Sequence, residues 1–197
     1  MSQRMATAGL DGTEAARAAA NGILRIDLGA VARNYATIVR LAGPAEVSGV
    51  VKADAYGLGI ARVAPALLSA GCRRFFVAVL GEALELRGLI GDEPAIHVLN
   101  GLPPGSEGLA YEAGIVPVLN CLDQAERWAE VARQAGRPLP ALLQVDSGMT
   151  RLGFAMEEIR QLLDRKDVLG RLDIGHVMTH LASAVDPQSR QSRDQIE

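Results

Sequence analysis

From Gly43 onward the chain repeats one pattern. A short apolar run leads into a loop carrying glycine or polar residues, and a stretch with apolar positions every three to four residues follows. The apolar runs at 46–53, 74–80, 95–100, 115–120, 141–146 and 174–180 read as strands. The amphipathic stretches at 60–70, 82–89, 105–113, 122–134 and 156–165, and one from about 187 onward, read as helices. Gly71, Gly114, Gly136 and Gly170 fall just past helix ends, where a left-handed residue is wanted. Ahead of the repeat, the alternating segment 22–27 (GILRID) reads as a short strand. Asp27 then caps a helix whose apolar stripe is Leu28, Val31, Tyr35, Ile38 and Ala42, stopped by Gly43-Pro44.

Strands alternating with helices across short loops imply parallel pairing with right-handed crossovers. An open doubly wound sheet and a (β/α) barrel both satisfy that rule. No G-x-G-x-x-G turn follows the first strand, which favours the barrel. The expected fold is α/β, an incomplete (β/α)8 TIM-type barrel, with roughly six of the eight strands a closed barrel needs. The sequence ends inside a helical pattern at Glu197. An open sheet with an exposed edge is therefore expected, and a fragment of a longer protein with it.

Composition narrows the function classes. The chain has 197 residues, of which 49% are hydrophobic, enough for one sizeable core. The net charge of −3 comes without blocks of like charge, so nothing points to nucleic acid or an anionic membrane surface. Aromatics at 4% are too few for base-stacking platforms. Cys72 and Cys121 lack metal-ligand spacing and read as two buried free thiols in a reducing compartment. Residues 1–21, rich in Ala, Gly and Thr, have no apolar core of a secretory signal and read as a mobile tail ahead of a domain spanning 22–197. No apolar run reaches membrane-span length, and a cytoplasmic protein is expected.

Three side chains stand at the carboxyl ends of different strands. Lys52 ends the first run and by period-2 alternation shares a face with Ser48 and Val50. An ammonium turned into a barrel needs partners or loses its charge, and a desolvated amine forms imines with aldehydes. By position alone the better reading of Lys52 is a strand-end lysine snorkelling to solvent. Arg151 lies in the Gly-containing loop 146–153, where it can meet an anionic oxygen or pair with Asp146 as loop scaffolding. His180 ends the last strand, with His176 deeper on the same face. It can stack on a flat ligand or be satisfied by its neighbours. His97 sits mid-strand and takes no role. Together a lysine, an arginine and a histidine meet at one barrel face, the way chemistry is built on this architecture. Metal-ligand spacing, a G-x-S-x-G elbow and a phosphate loop are all missing from the sequence.

At these residues the sequence resembles the alanine racemase family. The run 51–59 (VKADAYGLG) is similar to the family's cofactor-lysine motif, 145–153 (VDSGMTRLG) to its second motif, and 179–184 (THLASA) with Asp186 to its third. Ile26-Asp27-Leu28 with Asn34 resembles the opening segment, so the likeness runs from about Gly22 to the end. The resemblance implies pyridoxal 5'-phosphate as cofactor, alanine as substrate, a homodimer for the full-length protein, and a role in making D-alanine for peptidoglycan. It assigns Lys52 as the lysine that binds the cofactor and as one of two acid/base groups at the substrate Cα. Tyr56 would hydrogen-bond the cofactor phosphate. Arg151 would donate to the phenolic oxygen and lie near the substrate carboxylate, and His180 would pack on the pyridine ring. Gln144 stands where many members have a carbamylated lysine that steadies the arginine; it cannot be carbamylated, though its neutral amide is able to hold Arg151. Leu58 replaces a usual histidine. The second base, a tyrosine from the partner subunit, belongs in the family to a C-terminal β domain not present in these 197 residues, so the chain alone is expected to be weakly active or inactive. A non-catalytic pyridoxal phosphate-binding barrel and a functionless fragment are the alternatives.

Overall fold

The computed structural model describes residues 19–22, 24–186 and 188–197. Most of the expected tail therefore lies outside the described residues. The elements in order are α1 (Leu28–Ala42), β1 (Gly49–Val50), a left-handed turn (Lys52–Gly57), α2 (Ile60–Ser69), β2 (Arg74–Val77) and α3 (Leu80–Ile90). They continue as β3 (Ala95–Val98), α4 (Glu107–Glu112), β4 (Ile115–Leu119), α5 (Leu122–Ala135) and β5 (Leu139–Gln144). The last are α6 (Met156–Asp164), α7 (Lys166–Leu169), β6 (Leu172–Met178) and α8 (Arg190–Ile196).

All six strands pair in parallel, in the order β1-β2-β3-β4-β5-β6. The order never reverses, whereas a doubly wound sheet requires a reversal at its switch point. A curl follows from the sequential right-handed connections, and one contact reports it. The Arg74 guanidinium of β2 lies 3.0 Å from Nδ1 of His176 on β6, four strands away. Arg74 also forms a two-pronged pair with Glu46, with N–O separations of 3.2 and 3.0 Å. The inner face is thus a concave trough. β1 and β6 are its rims, and on them Val50 and Val177 are 43% and 66% exposed.

The main core fills the space between the outer face of the sheet and the helices. Phe75, Val77, Ile96, Val98 and Ile115 are fully buried there with Ala64, Ala83 and Leu86 from the helices. Trp128 of α5 is buried too, and its indole N–H donates to the Pro140 carbonyl at 3.1 Å. On the inner face Phe76 stacks on His97, with ring centroids 4.8 Å apart. Burial, together with the nearby positive charge of Arg74, pushes the His97 imidazole down to about 3, so it is neutral at physiological pH. Asp27 caps α1, accepting from the Ala30 N–H at 3.0 Å.

Four local expectations change. Residues 24–27 form no strand, because a strand needs a ladder partner and they meet none among the described residues. β1 is only two residues long, because the backbone turns left-handed just after Lys52. Gly71, Gly114 and Gly136 have positive φ, but Gly170 has φ −66°, its N–H still bonded to the Lys166 carbonyl. A Cβ at Gly170 would sit 3.0 Å from that same carbonyl oxygen, so space rather than handedness suits glycine there. Both cysteines are free, but Cys121 is only half-buried.

Candidate active site

The strand ends on the β1 and β6 sides of the trough open into one cavity of about 590 Å³. Lys52, Tyr56, Arg151 and His180 all line it. Ser48 and Val50 lie on the same wall as Lys52, as period-2 alternation requires, and the apolar surfaces of Phe76, Leu99 and Met178 complete it.

Lys52 and Tyr56 are carried by an unusual backbone. Ala53, Asp54, Ala55 and Tyr56 all have φ between 51° and 57° with positive ψ. This is a full left-handed turn made without glycine, and each such residue costs roughly 1–2 kcal/mol. The turn persists because its groups are met on all sides. The Ala55 N–H donates to the Val51 carbonyl at 2.9 Å, and the Gly59 N–H to the Asp54 carbonyl at 3.0 Å. The Asp54 carboxylate accepts from the Ile60 N–H at 2.7 Å, which starts α2, and Ala55 is buried. From outside the turn, Glu82 accepts from the Ala53 N–H at 2.7 Å. The turn brings Lys52 Nζ to 5.9 Å from the centre of the Tyr56 ring. Strain of this kind concentrates at functional sites.

Arg151 sits on a loop closed at its base. The Phe154 N–H donates to the Gln144 carbonyl at 2.7 Å, and the Asp146 N–H to the Phe154 carbonyl at 3.0 Å. Phe154 is fully buried and anchors the return. Asp146 does not pair with Arg151. Its carboxylate accepts from the Thr150 and Gly148 N–H groups at 2.8 and 3.0 Å, and these bonds hold its carboxyl below the usual carboxylate range. Nor does Gln144 hold the guanidinium. Its amide donates to the Leu152 carbonyl at 3.2 Å, fixing the backbone beside Arg151 instead. Among the described residues Arg151 pairs with no carboxylate. Its charge faces the cavity uncompensated, so the cavity favours an anionic group.

The loop after β6 carries His180 and is tied to the Arg151 loop. Ser147 Oγ lies 2.7 Å from Thr179 Oγ1. Gln195 of α8, a buried amide, accepts from the Ala182 N–H at 2.8 Å and donates to the His180 carbonyl at 3.0 Å and to Ser147 Oγ at 3.2 Å. Glu82 and Gln195 escaped the sequence reading. Each is an ordinary polar residue on an amphipathic helix, and only the fold brings it to a motif loop. The remaining clue was weak: Glu82 stands three residues after Val79, at the spacing of an N-terminal helix cap.

Comparison with known proteins shows the family. The model of the alanine racemase N-terminal domain matches residues 26–197. An alanine racemase of Brucella ovis is 48% identical over 178 residues, covering 90% of this chain and 45% of the relative. A catabolic alanine racemase of Mesorhizobium japonicum is 49% identical over 177 residues, covering 90% of this chain and 46% of the relative. The crystal structure of alanine racemase from Bartonella henselae with covalently bound pyridoxal phosphate superposes with a TM-score of 0.84 at 37% identity, covering 87% of this chain and 50% of that one. The chain thus spans about half the length of the relatives it matches. With six parallel strands curled in the same way and the family model matched along almost the whole described length, the chain belongs to the alanine racemase family.

Proposed function

We propose that this chain binds pyridoxal phosphate on Lys52 and supplies one face of a site that interconverts L-alanine and D-alanine. The observation that carries this reading is the convergence of Lys52, Tyr56, Arg151 and His180 on a single cavity. The donor set suits the cofactor. A primary amine meets an aldehyde, a phenol hydroxyl and a guanidinium meet anionic oxygens, and a flat imidazole meets an aromatic ring. When bound, the cofactor supplies an electron sink for the charge left at Cα after proton loss.

The remaining work falls to the chain's own groups. With the cofactor bound, the Lys52 amine would be the group that takes or returns the α-proton on its face. Arg151 would draw in the substrate carboxylate and meet the cofactor's phenolic oxygen, Tyr56 would donate to its phosphate, and His180 would pack on its ring. By the resemblance, the acid/base group for the opposite face would be a tyrosine of a partner subunit. A homodimer of the longer protein is accordingly the proposed working form. Little or no racemisation is expected from the 197-residue chain by itself.

The test is attachment rather than turnover. Adding pyridoxal phosphate to the chain is expected to produce a visible absorption band. Borohydride should make the attachment permanent, on the peptide containing Lys52, and Lys52→Ala should abolish both. An undiminished band in Lys52→Ala would sink the assignment.

A further inference from the structure

We propose that Glu82 is a positioning residue for Lys52, holding the strained turn that aims the lysine into the cavity. The proposal rests on the reading of Lys52 as the cofactor lysine.

The Lys52–Ala53 peptide, just past the end of β1, leads into the left-handed residues that begin at Ala53. The first N–H groups of any helical turn lack partners within the turn, and left-handed turns share that defect. Ala53 is in this position, and its N–H donates 2.7 Å to Glu82 Oε1. The second oxygen, Oε2, accepts from the Ala78 N–H at 2.7 Å and the Val79 N–H at 3.4 Å. One carboxylate therefore ties the peptide following Lys52 to the junction between β2 and α3. A neutral acceptor would make weaker bonds, since charge-assisted hydrogen bonds are roughly twice as strong as neutral ones. Four successive left-handed residues without glycine give the backbone a reason to relax towards an ordinary β or right-handed form. Such a relaxation would swing the Lys52 Cα–Cβ direction off the inner face. Glu82 also caps its own helix, so a purely structural role would act on α3, whereas the positioning role acts on Lys52–Gly57.

The experiment uses the cofactor-free 197-residue chain and its Glu82→Gln and Glu82→Ala variants, with Glu85→Ala, an exposed position on the same helix, as control. Hydrogen exchange at the Ala53, Ala55 and Gly59 amides is expected to speed up about tenfold in Glu82→Ala and less in Glu82→Gln, as for loss or weakening of a charge-assisted bond. Amides in the last turn of α3 and in β3 should stay at wild-type rates. The rate at which added pyridoxal phosphate develops its absorption band should fall in the same rank order, and Glu85→Ala should match wild type in both readouts. Wild-type exchange at Ala53 in both Glu82 variants overturns the proposal. So does faster exchange confined to α3. If Glu82→Ala fails to fold, Glu82→Gln alone decides, because it preserves shape and one acceptor. Should wild-type protein not attach the cofactor at Lys52, the functional reading fails, while the exchange data still judge whether Glu82 holds the turn.

Discussion

Lys52 and Tyr56 stand on a turn defined by nine consecutive residues and one outside carboxylate, whereas Arg151 and His180 stand on two loops tied together by neutral side chains from farther along the chain. On the β1 side the backbone is strained and is countered by two carboxylates, Asp54 and Glu82, each accepting from main-chain N–H groups. On the β5–β6 side the strain is slight. Thr150 and two glycines, Gly148 and Gly153, are the positive-φ residues; Asp146 braces the Arg151 loop from within, but no carboxylate reaches it from outside, and the ties between the two loops are an amide and two hydroxyls. The difference follows from what each side is proposed to do. A lysine that attaches a cofactor and then moves a proton needs a fixed direction, and a charged cap supplies it. An arginine and a histidine that receive an incoming ligand tolerate a softer hold, which neutral hydrogen bonds give at about 1 kcal/mol each.

The two halves should therefore fail separately. The largest effect is expected at Gly153. It has φ 111°, and a Cβ there would lie 2.7 Å from the Asp146 nitrogen and 2.9 Å from the Val145 carbonyl carbon. Gly153→Ala should cost on the order of 3 kcal/mol in denaturant unfolding and open the base of the Arg151 loop. Retained stability would mean that the loop base is far more pliant than its bonds suggest. Gln195→Ala comes next, at about 1–2 kcal/mol, since it strips partners from the His180 carbonyl, the Ala182 N–H and Ser147. Its amide exchange should rise at 147–150 and 179–182 while the turn at 52–59 keeps wild-type rates, the mirror image of the Glu82 variants. Equal loosening of both halves would erase the comparison.

The smallest effect concerns pH. Hydrogen bonds from Thr150 and Gly148 hold the Asp146 carboxyl below its ordinary value. A group whose folded value is lowered contributes stability above its unfolded value and loses it as pH falls through the folded one. The Gly148 and Thr150 amide resonances should thus be steady from neutral pH down to the ordinary carboxylate range and shift only below it. Asp146→Asn should remove that titration with little change in stability at neutral pH. A transition near neutrality would show that another group controls the loop.

How much of this was legible beforehand varied along the chain. The expected strands after the first lie within a few residues of the observed ones, because the strands inside the sheet are nearly continuous apolar runs and such runs stand out. The run at 46–53 also stood out, yet its last residues leave the sheet, since apolar character says nothing about the sign of φ. Lys52, Tyr56, Arg151 and His180, which line the cavity, are legible as candidates because each lies inside a contiguous motif. By analogy the Gln144 amide is able to hold Arg151, but it meets the Leu152 carbonyl one residue on. An amide's partner is set by ångström-scale geometry that adjacency in sequence does not carry.

The sequence by itself determined the alternation of strands and helices and the parallel class, which follow from local periodicity. Its likeness to family motifs named Lys52, Tyr56, Arg151 and His180, which are among the residues that line the cavity. The tertiary structure alone decided that the sheet curls so that Arg74 meets His176 across it, that four non-glycine residues turn left-handed after Lys52, and that Glu82 and Gln195 reach the motif loops. Those outcomes depend on contacts between segments 13 to 102 residues apart. Such contacts are fixed only when the sheet folds and its hydrogen-bonding groups find partners.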